Sequence, residues 1–348
     1  MGSNGRTVRM SSQQIERRRR NQFKRKVFNL SIILILIILL LSIGNIYAQL
    51  AELQTALKRL ESKAPGASRT YAEEQEQEQT NYVEEIASVE VEKPVERTEK
   101  EVLERLGELG QNNSVIQEVY ENHSQYPQEL LSALANNPEM AEFAAGYPGY
   151  NGRSRGALTS AEKQQEHPLF LQWDPRWGYQ TYGSGSCIGL AGCGPTCLSM
   201  ALFYLTGDDK LTPNKIAEYS MENGYYVEGT GTAWALMEDV PKLYGISVTK
   251  LSAEESSIRA ILDRGGVVIC SMGRGDFTTS GHYILIYGYD SEGLLINDPN
   301  CVSRSGRHWS FESLKYQMKN IWAYMPDGRS AATESSITVL YQDIRENR

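Results

Sequence analysis

The sequence predicts an α+β fold, a buried helix packed on an antiparallel sheet, preceded by a transmembrane helix and a helical stalk. Three observations predict it. Residues 193–206 are apolar on nearly every side and lie between an early proline, Pro195, and a closing glycine, Gly207, as in a buried helix. Residues 283–289 and 294–296 flank the turn Asp290-Ser291-Glu292-Gly293 and read as an antiparallel hairpin. Residues 27–51 carry no charged side chain.

The 348 residues, with 22% charged and 9% aromatic side chains, have an ordinary globular composition, which excludes wholesale disorder and disulfide-dense scaffolds. A net charge of -8 argues against nucleic acid as a partner, because phosphate binding needs clustered Lys and Arg. That charge is unevenly placed. Residues 1–26 hold nine Lys/Arg against Glu16 alone, a local +8, which leaves -16 for the rest.

This basic stretch, 1–26, reads as a cytoplasmic tail, and 27–49 as a single-pass membrane anchor. An apolar helix of that length spans a hydrocarbon layer of about 30 Å. Lys and Arg concentrated on one flank place that end in the cytoplasm and the remainder outside the cell. A cleavable signal ending near Ile46-Tyr47-Ala48 is the alternative. Against it, Ile46, Leu50, Leu53, Leu57 and Leu60 continue a 4-3-4-3 seam beyond the cleavage point. The seam is a contact through which a homodimer could form, although two heptads are short for a coiled coil.

Residues 50–97 form an acidic linker, with Glu73, Glu74, Glu76 and Glu78 as a like-charge run. Helical periodicity returns over 98–150. Val102, Leu103, Leu106 and Leu109 mark one apolar face, Val115, Ile116 and Val119 a second, and Leu130, Leu131 and Leu134 a third. This region reads as a stalk or propeptide-like module, set apart by a Gly/Ser/Arg-rich break at 151–160. The main domain, 165–326, contains all five Trp and all five Cys. A polar tail, 327–348, follows.

Chemistry points first to Cys193. In Ala191-Gly192-Cys193-Gly194-Pro195-Thr196 it opens the buried helix, where the positive end of the helix dipole stabilises a thiolate. Cys197 packs as a small hydrophobe one turn on, and Cys187, Cys270 and Cys301 are candidate disulfide partners whose pairing the sequence leaves open. Four histidines could serve as a base. His123 falls in the helical region and His167 in the connector, while His308 sits in a turn. His282, behind Ser280-Gly281 at the mouth of a strand, is fixed on one side and open on the other.

The hairpin returns Asn297-Asp298-Pro299 to that same end of the sheet. A carboxylate or amide there would hold the imidazole in one tautomer. Simple hairpin register puts Asn297 on the face of His282, and one bulge would substitute Asp298. Acyl transfer also needs oxyanion donors. The Cys193 N–H is one, and Gln172 is the side-chain choice, with Gln180 in reserve.

Together, Gln-Trp-Asp-Pro-Arg-Trp at 172–177, Gly-Cys-Gly-Pro-Thr-Cys-Leu-Ser-Met at 192–200, Gly-Thr-Ala-Trp at 231–234, Gly-His-Tyr-Ile-Leu at 281–285 and Asn-Asp-Pro at 297–299 resemble the papain-like cysteine peptidases of family thirty-nine, the bacteriocin-leader-processing group. The resemblance implies a papain-like fold, with Cys193 as nucleophile, His282 as base, Asp298 as its orienter and Gln172 as oxyanion donor, and no metal or organic cofactor. The function expected is a membrane-anchored, extracytoplasmic cysteine peptidase acting on peptides. Hydrolysis of peptidoglycan cross-link peptides and a non-catalytic peptide- or wall-binding role are the alternatives. Leader-processing relatives are typically fused to an ATP-driven transporter, and this chain shows no phosphate-cradling Gly-rich Lys-Ser/Thr loop.

Overall fold

The computed structural model describes residues 89, 91–154 and 156–326. The expected cytoplasmic tail, membrane helix, juxtamembrane seam and polar tail lie outside the described residues, as does most of the linker. No helix among the described residues is long and apolar enough to cross a membrane.

Four helices come first: α1 (Glu99–Gly110), α2 (Ser114–Glu121), α3 (Gln128–Asn136) and α4 (Ala141–Gly146). Local chemistry starts each of the first two. Thr98 and Glu101 form a reciprocal capping box on α1, and the Asn113 side chain accepts the Val115 and Ile116 N–H groups at the head of α2. The three apolar faces converge, burying Val102, Leu106, Ile116, Val119, Leu130, Leu131 and Leu134. The same cluster includes Leu171, Trp173, Cys187 and Val302. The helical region is therefore no free-standing stalk. Its short helices leave one side of their apolar core open, and residues of the main domain close it.

The main domain begins with α5 (Ser160–Gln164) and α6 (Ile188–Ala191) and continues with α7 (Cys193–Thr206) and α8 (Pro213–Glu222). A two-stranded ribbon, β1 (Tyr226–Val227) and β2 (Gly231–Thr232), leads to α9 (Trp234–Asp239). Then come β3 (Ile246–Lys250), α10 (Glu255–Leu262), β4 (Val267–Gly273), β5 (Gly281–Tyr289), β6 (Leu294–Asn297), α11 (Val302–Ser305), α12 (Phe311–Lys315) and β7 (Met318–Pro326). The five-stranded sheet has the order β3-β7-β4-β5-β6, and every pairing is antiparallel.

Both faces of this sheet are covered, so its central strand reads as an unbroken apolar run rather than an alternating one. Val267, Ile269, Leu285, Trp322 and Tyr324 pack with Leu198, Ala201 and Leu202 of α7. On the other face, Val268, Cys270, Ile284, Ile286, Ile321 and Ala323 pack with Ile258 of α10 and with Phe311 and Leu314 of α12. Every residue from Gly194 to Phe203 is buried, and Gly207 closes α7 in the left-handed conformation at φ 71°. Only a helix apolar all round can occupy that place. The effect is to fix the first residue of α7, Cys193, to the centre of the domain.

Candidate active site

Cys193 is the first residue of α7, and Gly192 precedes it without any side-chain cap. The opening N–H groups of a helix have no intrahelical acceptor, and Pro195, in the same turn, has none to satisfy. What remains at the helix mouth is the Cys193 thiol with the Cys193 and Gly194 backbone amides. The approach is close. A Cβ on Gly194 would lie 2.7 Å from Thr232 Oγ1 on β2. The Tyr182 hydroxyl ties Thr232 Oγ1 (2.8 Å) to Ser220 Oγ (2.9 Å), and the Tyr283 hydroxyl donates to the Thr232 carbonyl at 3.1 Å. The β1–β2 ribbon is thereby pinned beside the nucleophile position.

All five cysteines are free thiols, so the possible disulfides among Cys187, Cys270 and Cys301 do not form. The reason is packing: Cys187 lies in the helical-region core, Cys270 in the core beneath the far sheet face, and Cys301 beside Glu139. Cys193 alone of the five is not buried. Burial pushes the Cys187 and Cys301 thiols up to about 12 and raises Cys197 and Cys270 as well. Four of the five thiols are therefore held neutral and enclosed.

His282 is buried at the start of β5, with Nε2 2.7 Å from Asp298 Oδ1. Its other ring nitrogen, Nδ1, is not engaged by Asp298, and Cys193 lies near enough to act on the charge of the ring. Burial works against a charged ring here. The Asp298 carboxylate and the Cys193 sulfur outweigh it and push His282 up to about 9. Asp298 is fully buried, which by itself would favour the neutral acid. The Arg304 guanidinium, 2.6 Å away from Nε to Oδ2, and His282 reverse that and hold its carboxyl well below the usual range. The Asn300 N–H, donating to Oδ1 at 2.8 Å, is the third hydrogen bond to the carboxylate.

The choice between Asn297 and Asp298 turns on one residue of β5. Tyr289 pairs with Leu294 and Gly288 with Leu295, but Ile286, not Tyr287, pairs with Ile296. This bulge at Tyr287 moves the register by one, so Leu285 faces Asn297 and Asp298 takes the side of His282. Asn297 instead donates to the carbonyls of Pro168 (3.1 Å) and His167 (3.3 Å).

Gln172 is buried, with Nε2 donating to the Gly189 carbonyl at 2.9 Å and Oε1 without a partner. An amide nitrogen carries two hydrogens, so one donor is committed and one remains. Gln180 is held by the Asn214 carbonyl and lines an open polar cleft of about 750 Å³ that none of Cys193, His282 or Asp298 reaches. The other histidines have local duties. His308 bridges Asp290 (2.7 Å) and Glu292 (3.3 Å), His167 stacks between Tyr204 and Tyr287, and His123 bonds the Tyr120 carbonyl. Among the described residues no cluster of His, Cys, Asp and Glu could hold a metal ion.

Residues 164–329 match the model of the Peptidase_C39 like family. That match supports a C39-like cysteine peptidase and spans Cys193, His282, Asp298 and Gln172. Among solved structures, the peptidase domain of Streptococcus ComA, a bi-functional ABC transporter involved in a quorum-sensing pathway, aligns at 19% identity. The alignment covers 39% of this chain and 92% of that one, with a TM-score of 0.31. The search of curated proteins found no match.

Two members of this site carry no signal in the sequence. Arg304, six residues beyond Asp298, gave no signal because a lone arginine in a polar loop looks solvated. Thr232 was noticed only within a motif, without a role.

Proposed function

We propose that the C39-like domain hydrolyses peptide bonds through a Cys193–His282–Asp298 relay. One observation carries the proposal: the partly exposed thiol, out of five, sits at the head of the buried helix beside a histidine whose far nitrogen is fixed by a buried carboxylate. In the thiolate–imidazolium pair, Cys193 Sγ attacks the carbonyl carbon, and the developing oxyanion meets the Cys193 N–H and the second hydrogen of Gln172 Nε2. The His282 Nδ1–H passes to the leaving amine, the C–N bond breaks and a thioester remains. Water then attacks the thioester while His282 accepts its proton, releasing the acid and the thiolate. Asp298 stays ionised throughout and keeps Nε2 protonated.

The chemistry would operate outside the cell on a single-pass anchor. This part of the proposal rests on the basic 1–26 segment followed by the uncharged 27–49 segment. Peptide-library cleavage by the full-length chain, beside Cys193→Ala, tests the reaction. Turnover that vanishes in the variant supports it, and turnover that persists refutes it. Labelling of intact cells with an impermeant reagent against the domain tests the side of the membrane.

A further inference from the structure

Residues outside the family-matched stretch hold the back of the site. Glu139 follows α3 in the helical region, yet it is only 3% exposed, a rare situation for a carboxylate. Its Oε2 accepts the Val302 N–H at 2.7 Å and its Oε1 the Ser303 N–H at 2.8 Å, the first two amides of α11. The Cys301 thiol lies 3.6 Å from the same carboxylate. Two residues earlier, Asn137 donates from Nδ2 to the Asn300 carbonyl, which the Trp173 indole also contacts at 2.9 Å.

Every residue so gripped belongs to the loop that carries Asp298. Within that loop, Asn300 and Arg304 bond the Asp298 carboxylate, and Ser305 Oγ accepts the Asp298 N–H at 2.8 Å. The loop has little of its own to hold it, since α11 is four residues long. An oriented carboxylate on a short, weakly self-stabilised segment needs external support to keep its geometry. The charged and titratable groups facing Glu139 are Arg304 and Cys301, both on the same loop.

We propose that the helical region is a working part of the catalytic unit, with Glu139 and Asn137 as positioning residues that hold the 298–305 loop so that Asp298 meets His282. The inference rests on the relay described above, and its test must therefore read His282 without relying on turnover. It also assigns the region a role opposite to that of an inhibitory propeptide. The helical region grips the loop behind Asp298 and supports the site.

The experiment uses the full-length chain with labelled histidine rings. His282 is assigned from the resonance lost in His282→Asn, and its titration is followed by NMR in wild type, Glu139→Ala, Glu139→Gln and Leu106→Ala. Leu106→Ala disturbs the helical core at α1, at a side chain that makes none of the hydrogen bonds holding the loop. The expected result is a His282 midpoint lowered by about one pH unit in Glu139→Ala. Glu139→Gln, which keeps the volume but only one acceptor, should fold and show a smaller fall of the same sign. Leu106→Ala should lower the melting temperature and leave the midpoint in place.

Where turnover is measured, kcat should drop by roughly tenfold to a hundredfold in Glu139→Ala, with KM little changed. An unmoved midpoint in Glu139→Gln overturns the proposal, and so does an equal shift in Leu106→Ala. A wild type that never turns over any peptide would sink the catalytic reading while leaving the midpoint comparison to decide the positioning claim.

Discussion

The acid–base half of the proposed relay is set by three side chains, Asp298, His282 and Arg304, whose charges depend on each other. Asp298 is ionised because Arg304 and His282 face it, and His282 favours its charged form because Asp298 does. The pH behaviour follows. The imidazolium is needed to protonate the leaving amine, so activity should decline on the alkaline side as pH rises through about 9. Stability runs in parallel. A raised folded-state value means the contribution of His282 is complete below its ordinary 6.5 and is lost as pH rises from there through about 9. Thermal melts between those values should show a falling midpoint, and His282→Asn should flatten that fall.

Asp298→Asn offers the complementary change. The amide cannot balance Arg304 and would favour the wrong imidazole tautomer, so kcat should drop by roughly 10³ to 10⁴. Peptide turnover assays measure it directly. At this scale much was legible in the sequence. Cys193 and His282 were marked by neighbouring glycines and by the elements they open. The choice of Asp298 over Asn297 came from the family resemblance and not from register, because the bulge at Tyr287 on which it depends is announced by no local residue pattern.

Among the elements, α7 decides the most. Its sequence displays both ends and its burial, since apolar residues on all sides leave a helix nowhere to sit but the core. Gly207 ends it at φ 71°, in open space. Gly207→Ala should therefore cost about 1 kcal/mol through backbone strain alone. The melting temperature should fall by a few degrees, with Cys193 reactivity unchanged because the strain sits at the far end. The hairpin was equally readable from its turn residues. Arg304 was not, since its place beside Asp298 follows from the short α11 turning back on the residues before it rather than from any periodicity.

Across the molecule, the helical region and the main domain share one apolar cluster, in which Phe143 packs beside Trp173 and Cys187. The sequence showed three amphipathic faces but not what they cover. Periodicity gives the apolar side of a helix and not its partner, and the Gly- and Ser-rich break suggested separation. Shared packing predicts one cooperative transition. Leu106→Ala, at a position with 0% exposure, should cost about 2–5 kcal/mol. Near-ultraviolet dichroism from the main domain's tryptophans should report that loss at the same temperature as the helical signal. Two separate transitions would show that the regions fold independently.

The central claim is that His282 and Asp298 make Cys193 the reactive thiol of this chain. Its most direct measurement is iodoacetamide labelling of the native full-length protein near neutral pH, mapped by mass spectrometry. The account predicts rapid modification at Cys193, slowed strongly in His282→Ala, with Cys187, Cys197, Cys270 and Cys301 protected until unfolding. Labelling of Cys193 that is as slow as that of the buried thiols, or unaffected by His282→Ala, would contradict it.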